Sequence, residues 1–406
     1  MKLSMNELWG SNQLKSSGTI ALIVSILAVT IVLLSFIPLP IPVITDFIML
    51  YVATVGLTQG VNVYDYSTQQ MLAQQLAVQF DTEFTYPFYI YPPWLAYSSA
   101  FLGWLSPAHA ARLWFWINIF LILSSVYLIT ITWSRRWWLV AVVVTMLSPA
   151  VLGLLTVGQF VAPVLLGIAL TIYAATNRSA SWYVVGMLLL TFKPHVGIVP
   201  FLVAGGWLIY HRQHWQLRAL SGVAGALIAL LLGTSLIYPT WIQDYLVMLD
   251  AFRSLPTFGV CTLCSGGSVL LTWVLFGTPL TSIALYIGLS FIALMALWGL
   301  TTRIFSGQFD RLMSWSMLIT VLAVPYLNNY DHIVSLLPML WLLRSARGKI
   351  EYLVLCLAFL LPWLGPLTQD RQLFAISLIG QAIILFGFMT VQLARQPLPA
   401  SSPVAS

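Results

Sequence analysis

The chain alternates long apolar runs with short polar interruptions. Ranges 20–40, 110–133, 137–155, 160–175, 219–238, 280–302, 312–327, 333–343, 352–367 and 373–393 each read as an apolar helix. A further run is broken in two, 182–192 and 194–210, by Lys193-Pro194. Most of these approach the roughly 20 residues that a helix needs to cross a hydrocarbon core. Backbone groups in lipid must be satisfied within the segment, so the predicted fold is all-α and polytopic, with about 12 transmembrane helices. Segment 93–105 is too short to span and is expected to lie at the interface or dip into it.

Composition agrees with this pattern. Of 406 residues, 60% are hydrophobic and 7% charged, with 17 Trp. No soluble chain of this length hides so much apolar surface. The formal charge of +6 comes from Lys and Arg placed singly or in pairs between apolar runs. That is the pattern of topology signals, and it speaks against a nucleic-acid-binding face. With the N-terminus inside, 13 of 17 basic residues fall on one side: Lys2, Lys15, Arg135, Arg136, Arg178, Arg212, Arg218, Arg303, Arg311, Arg344, Arg347, Lys349 and Arg395. Arg112, Lys193, Arg253 and Arg371 remain outside or embedded, with eight of the eleven acids. The asymmetry predicts a multi-pass protein of the plasma (inner) membrane with both termini cytoplasmic.

Three regions are expected: a cytoplasmic lead over 1–17, one polytopic domain over 18–395, and a Pro/Ser/Ala-rich disordered tail over 396–406. The longest polar stretch is the first outer loop, 41–93, which opens at Asp46 and holds Asp65, Asp81 and Glu83. Ranges 47–58 and 67–80 are expected to be short surface helices around a turn at 60–65. In the second, Gln69, Gln70, Gln74, Gln75 and Gln79 oppose Met71, Leu72, Leu76 and Val78. A second outer loop over 239–268 carries Asp244, Asp250 and Arg253.

Several polar residues stand out chemically. Asp46 follows Pro42 and precedes Phe47-Ile48-Met49-Leu50. It reads either as a solvated acid at a helix end or as a partly desolvated carboxylate suited to general-base work. Lys193 stands at membrane depth, where a cation costs roughly 2.5–3.5 kcal/mol and usually has a partner. It is either a snorkelling anchor or a cation for phosphate, and His195 is two residues on. Tyr330-Asp331-His332 follows Asn328-Asn329 in an outer turn, Arg112 opens the second crossing, and Gly158-Gln159 is another outer turn. Cys261 and Cys264 suggest a local disulfide or two idle thiols, since a zinc site would need further ligands. No P-loop, Rossmann glycine pattern or His-Glu-x-x-His pair occurs, and no metal site is expected.

The order of these residues resembles a GT-C membrane glycosyltransferase. An Asp follows the first span, then come a loop with Tyr64-Asp65, Tyr91-Pro92-Pro93, and Arg112-Leu113. Gly158-Gln159, Lys193-Pro194 and Tyr330-Asp331-His332 make the chain most similar to glycosyltransferase family 87. The resemblance covers about 20–343. It departs after Gly158-Gln159, where Phe160-Val161-Ala162 offers no counterpart to the family's Asn.

The resemblance implies an inverting hexosyltransferase acting on the extracytoplasmic side, metal- and cofactor-independent. The donor would be a polyprenyl-phosphate sugar, with mannose the sugar the family implies, and the acceptor a hydroxyl of a glycan or glycolipid. Asp46 would be the base. Lys193, Arg112 and His332 would surround the donor phosphate, with Tyr91, Gln159, His195, Tyr330 and Asp331 as further substrate contacts. Two other readings fit parts of the sequence. Broken helices around a Lys also suit a transporter or flippase of lipid-linked sugars, although the first loop has no counterpart in the second half. An O-antigen-ligase-like transferase would carry its key residues in a late outer loop.

Overall fold

The computed structural model describes residues 29–37, 46–81, 89–253, 265–278, 280–301 and 309–394. Most of the expected first span, together with Glu83, Cys261 and Cys264, lies outside these. Among the described residues every element is a helix and no strand occurs. In chain order the first helices are α1 (Asp46–Thr58), α2 (Tyr66–Gln79), α3 (Pro93–Ser98), α4 (Pro107–Thr130), α5 (Arg135–Met146) and α6 (Pro149–Val157). Next come α7 (Ala162–Asn177), α8 (Ala180–Leu190), α9 (Pro194–His211), α10 (His214–Ile237), α11 (Trp241–Arg253), α12 (Gly267–Phe276) and α13 (Thr281–Thr301). The last are α14 (Phe309–Ala323), α15 (Leu336–Ser345), α16 (Lys349–Leu360), α17 (Leu364–Thr368) and α18 (Arg371–Ala394).

Among the described residues four helical stretches are long and apolar enough to cross a membrane: Pro107–Thr130, His214–Ile237, Lys349–Thr368 and Gln372–Gln392. A fifth joins α5 to α6 across a 55° bend at Pro149, which can begin a helix but not continue one. Of the other expected crossings, 280–302 corresponds to α13, of 21 residues, and several appear as shorter helices. Range 312–327 corresponds to α14, of 15 residues. Range 333–343 divides between a 3-10 turn at Asn329–Ser335 and α15, of 10 residues. Apolar runs thus mark helices reliably, but the chain breaks them where polar groups converge.

Two apolar cores organise the molecule. The larger gathers residues of α4 to α10, α14, α15, α16 and α18. The smaller gathers α1, α2, α3, the first turns of α4, Phe160, Trp241 and Met248. Phe160 belongs to the smaller core and Val161 to the larger, while Phe192 packs against both. Gln159 and Lys193, each one residue from that seam, therefore lie where the two cores meet.

The first loop differs from the expected pair of surface helices. Every residue of α1 from Phe47 to Gly56 is buried. The 3-10 turn Ala100–Trp104 presses on α1, and a Cβ on Gly103 would meet the Thr54 carbonyl oxygen at 2.6 Å. Tyr51 fixes the arrangement by donating its hydroxyl to the Leu105 carbonyl at 2.9 Å. Helix α2 does lie at the surface, but its inner face is Leu72, Ala73 and Leu76 together with Gln69. Met71 and Val78 are exposed, and buried Gln69 donates to the Asn62 carbonyl at 3.1 Å. Periodicity misjudged this face because one glutamine is recruited to hold the turn.

Candidate active site

Asp46 is the first residue of α1 and remains partly exposed. The first turn of a helix, with its unpaired N–H groups, is where a carboxylate is best accommodated. Its partner comes from the turn between α6 and α7. Gly158 closes α6 in the left-handed conformation, φ 69°, and a Cβ there would sit 2.7 Å from Phe47 Cβ. Only glycine satisfies both demands, and it brings Gln159 directly onto the start of α1. Gln159 Nε2 donates to Asp46 Oδ2 at 2.5 Å and to the Tyr330 hydroxyl at 2.9 Å.

Lys193 ends the break between α8 and α9. Pro194 supplies no N–H, so a helix can start there but cannot run through. The Lys193 side chain is 1% exposed, and its ammonium donates to Gln159 Oε1 at 2.7 Å and to Asp331 Oδ1 at 2.6 Å. An ammonium only donates, so the glutamine must turn its oxygen to Lys193 and its NH₂ to Asp46. Asp331 is itself fully buried, and its other oxygen accepts from the Asn328 backbone N–H at 3.0 Å. Leaving either member of such a buried pair alone costs about 3–5 kcal/mol.

Aromatic rings close the cluster. The Lys193 ammonium lies 4.8 Å from the Tyr330 ring centroid and 5.8 Å from that of Tyr91. Tyr91 meets Phe160 edge-on at 4.7 Å, and its carbonyl accepts from the Tyr64 hydroxyl at 2.9 Å. Asn328 Nδ2 donates to the Tyr330 hydroxyl at 2.8 Å. His195 is nearby, with Nε2 3.8 Å from Asp331 Oδ2, beyond hydrogen-bond reach.

Among the site residues expected from the sequence, the structure thus gathers Asp46, Gln159, Lys193, Tyr330, Asp331, Tyr91 and His195. His332 follows Asp331 but faces elsewhere. Its Nε2 meets the carbonyl and hydroxyl oxygens of Ser265 at 2.9 and 3.0 Å, and its buried Nδ1 has no partner among the described residues. Arg112 is half-buried near the start of α4 and makes no ion pair among the described residues. Two positions along that helix, Trp114 donates Nε1 to the Gly158 carbonyl at 2.9 Å. Residues two apart on a helix face different sides, so the Trp114 contact does not bring Arg112 into the cluster. Ser265 and Phe47 were not singled out from the sequence. No motif marks Ser265, and Phe47 matters only through its contact with Gly158.

The two long polar loops are tied together beside the site. Asp244 Oδ2 accepts from Tyr238 Oη, from Thr240 Oγ1 at 2.8 Å and from Asn62 Nδ2 at 3.1 Å. The Tyr238 hydrogen bond, with those of Thr240 and Asn62, holds the Asp244 carboxyl below its usual range. Asp65 is held low similarly by Thr68 and Ser67 as it caps α2. Among the described residues no group of His, Cys, Asp or Glu could hold a metal ion.

No curated protein and no solved structure matches the chain. Residues 89–328 match the model of glycosyltransferase family 87, and that range is more than half of the chain. It contains Tyr91, Arg112, Gln159, Lys193 and His195; Asp46 precedes it, and Tyr330, Asp331 and His332 follow directly. With apolar helices of membrane-spanning length around a buried polar cluster, the chain belongs to glycosyltransferase family 87, a family of membrane glycosyltransferases.

Proposed function

We propose that this membrane glycosyltransferase moves a hexose, with mannose the favoured sugar, from a polyprenyl-phosphate donor to a hydroxyl of a glycan or glycolipid acceptor. The reaction takes place at the extracytoplasmic face, with inversion at the anomeric carbon. The observation that carries the reading is the tie from Asp46 through Gln159 to the Lys193–Asp331 pair. A base must be fixed in direction yet reachable, and Asp46 is anchored through one oxygen while the residue stays partly exposed.

In the transfer, the acceptor oxygen bonds to the anomeric carbon as the bond from that carbon to the phosphate oxygen breaks. Asp46 takes the acceptor proton, and the polyprenyl phosphate leaves with the electron pair. That leaving group needs neutralisation rather than protonation. Arg112 is the cation with charge to spare, since Asp331 already pairs with Lys193. Lys193 then acts mainly by orienting Gln159, and His195 and Tyr91 line the donor side. No metal or cofactor is required in this scheme.

Asp46→Asn tests it, because the amide keeps the size of the carboxylate but not its basicity. With purified protein, a polyprenyl-phosphate mannose and a glycolipid acceptor, transfer should fall at least ~10²-fold while donor binding survives. Near-normal transfer by the Asn variant would remove Asp46 as the base.

A further inference from the structure

A second cavity, of about 1020 Å³, lies far from the cluster just described. Five helices place it. Helix α7 starts beside Gln159 and ends in the cavity wall at Thr176 and Asn177, about 24 Å away at 1.5 Å per residue. Helix α9 starts at Lys193 and reaches the wall at Trp207, and α4 passes Arg112 and arrives at Tyr127. Helix α14 starts in the wall at Phe309 and Asp310 and ends near Leu327, and α15 leaves the Asp331 turn to end at Arg344. The active-site cluster and the cavity thus occupy opposite ends of the same bundle.

The lining is amphiphilic. Ile129, Ile172 and Leu337 give an apolar wall, with Tyr173 and Trp341 beside it. At the polar end Ser314 is 2% exposed, and its hydroxyl makes no hydrogen bond among the described residues. Arg344 is exposed at the rim and makes no ion pair among them. The carboxylate of Asp310 is partly engaged: it accepts from Trp341 Nε1 at 3.1 Å and from the Arg311 backbone N–H at 2.9 Å. The Arg311 guanidinium lies 5.4 Å from the Trp341 ring centroid. Arg178, the cap of α7, is a further basic residue at this end.

We propose that this cavity is a binding site for an anionic phospholipid whose headgroup carries hydroxyls, of the phosphatidylglycerol class. The phosphate is held by Arg344, the headgroup hydroxyls by Ser314 and Asp310, and the upper acyl chain lies along Ile129, Ile172 and Leu337. A basic end attracts the anionic lipids of the leaflet it faces, and basic pockets between membrane helices take such headgroups. A neutral amphiphile would leave Arg344 unanswered, and a small free anion would leave most of the apolar wall unfilled.

Native mass spectrometry of the purified full-length protein in detergent, titrated with defined lipids, tests this without any transfer assay. One phosphatidylglycerol should bind at least ~10-fold more tightly than phosphatidylcholine, because the latter carries no net charge and no free hydroxyl. Arg344→Gln should weaken that binding by roughly tenfold, and Thr176→Trp, which fills the cavity without changing a charge, should weaken it as well. Arg136→Gln removes an exposed basic residue that does not line the cavity and should have no effect. Equal losses in Arg136→Gln and Arg344→Gln would mean diffuse surface attraction and overturn the proposal. So would equal binding of the two phospholipids, or a polyprenyl phosphate that occupies the site where phosphatidylglycerol does not.

Discussion

Lys193 reaches Gln159 at 2.7 Å through its only kind of polar group, a donor, and this contact decides which end of the glutamine faces Asp46. The lysine thereby sets the polarity of a hydrogen bond at a residue it does not touch. Gln159→Glu should reverse the effect, placing a second carboxylate against Asp46 while leaving Lys193 a partner. Transfer should drop at least ~10²-fold with little change in melting temperature. A Glu variant that is as active as the parent would show that the amide does not orient Asp46.

The ion pair behind that contact makes Lys193 a structural residue as well. Lys193→Ala strands the buried Asp331 carboxylate and should cost about 3–5 kcal/mol. Replacing both members, with Lys193→Met and Asp331→Asn together, should restore much of that stability. Transfer should stay low, since nothing then directs Gln159. Thermal unfolding and transfer assays of the two variants beside the parent separate the two effects.

Gly158→Ala is the smallest change expected to open the site. The alanine must hold a positive φ and place its Cβ 2.7 Å from Phe47 Cβ. A strained backbone of this kind costs of order 1–3 kcal/mol, and relief comes by moving Gln159 away from Asp46. The variant should lose both melting temperature and transfer, whereas Gly60→Ala, with a similar φ of 72° but nothing within 4 Å of its Cβ, should lose melting temperature through the same backbone strain and keep its transfer.

The tie between the two polar loops predicts an acid limit. Asp244 is depressed below 3.8 in the folded chain by its Tyr238, Thr240 and Asn62 hydrogen bonds. Its stabilisation is therefore fully present above the unfolded value and is lost as pH falls through the lower folded one. Asp65 acts with the same sign through Thr68 and Ser67. Asp244→Asn should flatten the fall in melting temperature below about pH 4 and change it little near neutrality. An unchanged acid profile in that variant would show that the loops are held by other contacts.

Much of this arrangement was legible in the sequence, for identifiable reasons. A Lys in an apolar run, next to a Pro, announces both a break and a buried partner, and Asp331 is that partner. The acid at Asp46 was conspicuous because it opens a long stretch free of Lys and Arg. Other features left no local trace. The burial of α1 depends on Gly103 and Tyr51 meeting atoms about 50 residues away. The tie from Asn62 to Asp244 joins residues 182 apart. Nor does apolar length tell a full crossing from a helix that stops after ten residues, as α15 does.

The four polar members Asp46, Gln159, Lys193 and Asp331 arrive from the ribosome in that order, the last some 138 residues after the lysine. Until Asp331 is synthesised, the lysine lacks its ion-pair partner. A chain halted in between would hold a lysine without the carboxylate that compensates it, at a cost of about 3–5 kcal/mol if the lysine is buried. Completion of the ion pair is therefore a late event, tied to the last quarter of the chain.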